Sequence, residues 1–153
     1  MTVPTTLTTL VGNWKATNRL WLSPDEPVRE SKVTASVALA AQGQFITIAY
    51  TWAEDGPQDG LLMIGQAAQS NAVKAAWIDS WHNGDKLMLC EGSLSTEGAV
   101  SVKGSYPAPS GPDWGWRIVI EPQANDAWRM VMYNITSEGQ EQLAVEASFT
   151  RQA

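Results

Sequence analysis

About ten segments of this chain alternate polar and apolar residues, and no gap between them is long enough for a crossover helix. They run over 14–22, 30–40, 44–53, 61–69, 73–82, 86–95, 99–106, 114–121, 127–136 and 141–151. Between them stand turn signals such as "SPDEP", "AQGQ", "EDGPQDG", "NGD" and "SEGQ". Gly84, Gly98 and Gly139 suit tight turns because glycine reaches positive φ without steric cost. Consecutive strands with such short links must run antiparallel, as a meander. An open sheet of that width would expose two unpaired edges and an apolar face, and closure removes both. The pattern predicts one all-β domain over 1–153, an antiparallel up-and-down barrel of about ten strands. Residues 1–11 form a short N-terminal helical plug, with Pro4 in its first turn and Leu7, Leu10 and Val11 on one face beside Trp14.

Charge narrows the function. The net charge is −6, and the ten Lys and Arg residues are scattered singly. With no basic stripe to neutralise phosphates, nucleic acid is not expected as a partner. An acidic surface also argues against anionic membranes, and no apolar run approaches the ~20 residues of a spanning helix. The N-terminus has neither a basic stretch nor a long apolar core of a secretory signal. The single cysteine, Cys90, allows no internal disulfide, which fits a reducing compartment. A cytoplasmic location is expected.

Eight tryptophans against two phenylalanines suggest either a core filled with indoles or a cavity walled by them. The stretch "WIDSWH" (77–82) concentrates the question. Strand alternation carried through from Lys74 puts Trp77, Asp79 and Trp81 inward and His82 outward. An inward carboxylate must be paired, hydrogen-bonded or protonated. Arg117, Tyr133, Tyr50 and the indole N–H groups are available to Asp79. Arg117 reads equally as an outer surface charge or as an inward partner. The candidate ligand-binding set is Trp77, Asp79, Trp81, Arg117, Tyr133, Tyr50, Trp52 and Met63, an aromatic wall with a few placed polar groups. The plainer reading of the same residues is packed core with a satisfied polar network. No residue is nominated as catalytic: there is no nucleophile elbow, no phosphate-cradling glycine loop and no metal-ligand spacing around His82.

One further pattern lies in "VGNWKA" (11–16), where Gly12-x-Trp14 opens the first strand after a helical turn. It resembles the signature of calycins, the lipocalin-like barrels. With "LVGNW", "GLLMIG", "WIDSW", "WR" and the closing "FTR" in order along nearly the whole chain, the sequence resembles the bacterial family called domain of unknown function 1579. The resemblance implies a lipocalin-like barrel with an internal cavity and a stack of Arg151 on Trp14. It transfers no reaction. Related barrels bind fatty acids, other apolar molecules or haem, but haem-binding relatives ligate iron through a histidine on a late strand, and none stands here after Trp114. No cofactor and no metal are therefore expected. The leading expectation is non-catalytic binding of a small apolar or amphipathic ligand inside the barrel. The alternatives are an enzyme using Asp79 and Arg117 for acid–base chemistry, and a filled barrel that forms homo-oligomers.

Overall fold

A computed structural model describes residues 1–152. After one helical turn, α1 (Thr5–Thr8), the chain forms ten strands. These are β1 (Gly12–Leu20), β2 (Arg29–Ala40), β3 (Phe45–Ala53), β4 (Pro57–Gln66), β5 (Ala72–Asp79), β6 (Met88–Leu94), β7 (Val100–Tyr106), β8 (Trp114–Gln123), β9 (Ala127–Ile135) and β10 (Glu141–Arg151). Each pairs antiparallel with its neighbours in sequence, and β10 returns to pair with β1, so the sheet closes as an up-and-down barrel. Burial alternates along most strands, as in β3, where Ile46, Ile48, Tyr50 and Trp52 are buried and the residues between them are not.

One end is closed. Trp14, Trp128 and Phe149 pack there under Leu7 and Leu10, all buried. Trp128 stacks on Phe149 at 4.1 Å and meets Trp14 edge-on at 6.1 Å. The plug is tied down by backbone bonds between Thr2 and Gln66, by Thr6 Oγ1 donating to the Gly98 carbonyl (2.8 Å), and by Trp14 Nε1 donating to the Leu10 carbonyl (2.7 Å). Val11 does not join Leu7 and Leu10 on the buried face; it is exposed, because the helix ends at Thr8 and its spacing does not reach so far. Arg151 lies 4.2 Å from the centre of a Trp14 ring, donates to the carbonyls of Val11 and Thr9, and pairs with Asp126. Gly12 is required beneath it: its φ is +138°, and a Cβ there would collide with the guanidinium.

Two features position the other end. The β1–β10 ladder and eight of the nine sequential ladders run most of the strand length, but β6–β7 pairing spans only Glu91↔Lys103 to Leu94↔Val100. Toward the open end, Met88–Cys90 and Gly104–Tyr106 are not paired with each other, so the wall is parted there. Beyond Asp79 the chain leaves the sheet and turns over residues 80–87, between β5 and β6.

Candidate functional site

Asp79 organises the open end. It is 2% exposed, yet each of its carboxylate oxygens accepts two hydrogen bonds. Oδ2 accepts from Tyr50 Oη (2.6 Å) and Trp52 Nε1 (3.2 Å), and Oδ1 from the backbone N–H groups of Trp81 and His82 (both 2.9 Å). Tyr50 Oη in turn accepts from Trp77 Nε1 at 2.9 Å. The register explains the reach: Tyr50, Gly60 and Asp79 lie in one row across β3, β4 and β5, and a Cβ on Gly60 would occupy the place of the phenol. Burial, reinforced by the Asp79 charge, pushes the Tyr50 hydroxyl well above its ordinary pKa, so it remains a donor.

The bonds from Asp79 to the next two N–H groups are those of a side-chain-closed turn, and they end the strand. This corrects the outward placement of His82. Alternation stops at Asp79, and the turn folds the imidazole back over the barrel mouth. Its ring centre lies 4.9 Å from Trp81, 5.1 Å from Trp116, 5.4 Å from Trp52 and 5.7 Å from Trp77. Burial lowers its pKa below the usual 6.5 more than the Asp79 charge raises it, so the imidazole is neutral at pH 7.

Beside this cluster is a cavity of about 400 Å³. Its walls are Trp77, Trp81, Trp116, Tyr106 and the His82 ring, with Leu87, Met88 and Pro107 at the parted β6–β7 seam and Asn83, Lys86 and Ser105 around the rim. Trp77 and Trp116 stack almost parallel (9°, 5.5 Å), and the buried Trp116 Nε1 has no acceptor among the described residues. Tyr106 is held by a hydrogen bond to Asn134. A smaller cavity of about 160 Å³ lies across Trp81, His82 and Trp116, toward Leu20 and Leu143. Only a void of about 10 Å³ reaches Asp79 itself, below His82. The imidazole borders all three spaces.

The sequence-nominated residues separate into two groups. Trp77, Asp79, Trp81, Tyr50 and Trp52 converge here, although only Trp77 and Trp81 line the larger cavity. Arg117, Tyr133 and Met63 do not converge on it. Arg117 is on the outer face, where it grips Glu141 through two 2.7 Å bonds and lies 4.3 Å from the Tyr133 ring, its partner in register. That pairing holds Glu141 below the usual carboxylate range. Met63 is an exposed outer residue of β4, between the buried Leu62 and Ile64. An Asp79–Arg117 acid–base pair is thus excluded by the sheet that separates them. Sequence reasoning missed Trp116, Tyr106, Lys86 and Leu87 as lining. Among the described residues no cluster of three or more His, Cys, Asp or Glu could hold a metal ion.

A family model described as a protein of unknown function, DUF1579, matches residues 4–151. The chain is similar to a solved structure described as the crystal structure of Rv2717c from M. tuberculosis. The two are 15% identical, with a TM-score of 0.66, over 97% of this chain and 96% of that one. At that identity the likeness shows a shared fold. No curated protein matches the chain.

Proposed function

The chain belongs to the DUF1579 family over nearly its whole length, and within that frame we propose that it binds a small, flat, largely apolar molecule at the open end of the barrel. The observation that carries this is the 400 Å³ cavity, within the range of about 300–1,000 Å³ typical of small-molecule sites and walled mainly by aromatic rings. The cavity reaches the unpaired ends of β6 and β7 at Leu87, Met88 and Pro107, where Met88 packs over Gly104. Asp79 acts indirectly: it fixes the turn that brings Trp81 and His82 to the cavity wall. Native mass spectrometry of the freshly purified protein, before and after denaturation, should report a bound small molecule. Planar apolar molecules added to the emptied protein should perturb indole fluorescence, and Trp116→Ala should weaken their binding. If no mass is carried and no such molecule perturbs the indoles, the reading fails.

A second reading, self-association, is favoured by one observation. The outer face of β4–β6 aligns Leu61 with Ile78 and Met63 with Ala76 and Leu89. Ile78, Met63 and Leu89 are exposed there. Sedimentation of the wild type against Leu89→Glu tests it, with a concentration-dependent dimer lost in the variant as the supporting result.

A further inference from the structure

The ligand's charge can be read from the same cavity, and this inference rests on the binding function proposed above. The chain has 16 acidic and 10 basic side chains, yet no carboxylate lines the 400 Å³ space. The one fixed charge on its lining is Lys86. All five arginines lie against carboxylates, Arg19 and Arg129 on Glu146, Arg29 on Glu54, Arg117 on Glu141 and Arg151 on Asp126. Lys86 has no ion-pair partner among the described residues.

The other polar groups at the rim are neutral. The Ser105 hydroxyl stands at the rim, while the Asn83 amide already donates to the Trp77 carbonyl (3.2 Å). Asp79, the buried acid, cannot serve a cation: its oxygens are taken by four donors and the His82 ring covers it.

From this arrangement we infer that the bound molecule is an aromatic monoanion of the carboxylate type. Its flat body rests on the indole walls, and its carboxylate lies at the rim beside Lys86. The net charge of −6 opposes an anion at long range. At physiological salt the screening length is about 8 Å, so remote carboxylates count for little; Asp85, next to Lys86 in sequence, lies within that length, but Lys86 is the charge on the lining.

Isothermal titration of the intact protein with three probes of one shape tests the inference: 2-naphthoate, neutral 2-naphthamide and cationic 2-naphthylmethylammonium. Naphthoate should bind at least about tenfold more tightly than the amide, a difference of about 1.4 kcal/mol. The ammonium should bind most weakly. Lys86→Met should bring the ratio of naphthoate to amide affinity to about one. If the amide or the ammonium binds as tightly as naphthoate, or if Lys86→Met keeps the preference, the anion inference is overturned while the binding function stands. If none of the three binds, both fall together.

Discussion

The barrel has an aromatic cluster at each end, and the two are built on different principles. At the closed end Trp14, Trp128 and Phe149 pack against each other and against Leu7 and Leu10, with no buried charge among them. At the open end Trp52, Trp77, Trp81 and Trp116 surround a histidine, and a buried carboxylate ties the array together through a tyrosine, an indole and two backbone N–H groups. Close packing needs only complementary shapes and forgives nothing left empty. Side chains placed beside empty space need directional bonds instead, because packing alone would collapse the space. The difference teaches that the same residue type serves stability at one end and a standing cavity at the other.

The largest expected effect lies at the closed end. Phe149→Ala should lower the unfolding free energy by about 3–5 kcal/mol, read from urea titration, because it leaves a cavity in a filled core. Binding of naphthalene probes should not change; a parallel loss of binding would show that the two ends are not separable. At the open end, Asp79→Ala strands four donors at once, and about 3 kcal/mol of stability should be lost. Here probe binding should fail too, and amide exchange at residues 80–87 should accelerate. A variant that keeps affinity would break the claim that Asp79 holds the wall.

His82 sharpens the comparison through pH. Its folded pKa is depressed below 6.5, so the unfolded chain takes up the proton first. Its contribution to stability is therefore complete above about pH 6.5 and declines as pH falls toward the depressed folded value. The melting temperature of the wild type should fall between about pH 7.5 and 5.5, and His82→Phe should flatten that slope. The smallest effect belongs to the outer surface: Arg117→Met should cost about 0.2–1 kcal/mol and leave affinity for the probes untouched. A loss of affinity there would return Arg117 to the site.

Much of this was legible in the sequence, for identifiable reasons. Strand order and closure follow from two-residue alternation and glycine-bearing turns, whereas the stack of Arg151 on Trp14 was implied only by the resemblance to calycins. Trp77 and Asp79 were placed inward by the charge of Lys74, which holds for as long as the strand does. His82 was misplaced because the alternation was carried past a residue whose own side chain ends the strand. An Asp followed by a turn-rich "SWHNGD" is the signal that marks such an ending. Met63 and Arg117 lie on strands whose two faces look alike: Leu61 and Met63 point out where Leu62 and Ile64 point in, and Arg117 is flanked by Trp116 and Ile118. The parted seam involves two strands of normal appearance, and no local pattern announces a ladder that stops early.

The β1–β10 ladder also sets an order of events. Every other ladder joins strands adjacent in sequence, so the meander can zip hairpin by hairpin as local contacts form. Trp14↔Arg151 joins residues at opposite ends of the chain, and its loop-closure entropy is compensated only once the intervening strands are in place. Any state that has the other ladders but lacks this one is an open sheet with two raw edges. The Arg151–Trp14 stack lies on the ladder that removes those edges, so the contact that caps the indole also guards the sheet against pairing with other chains.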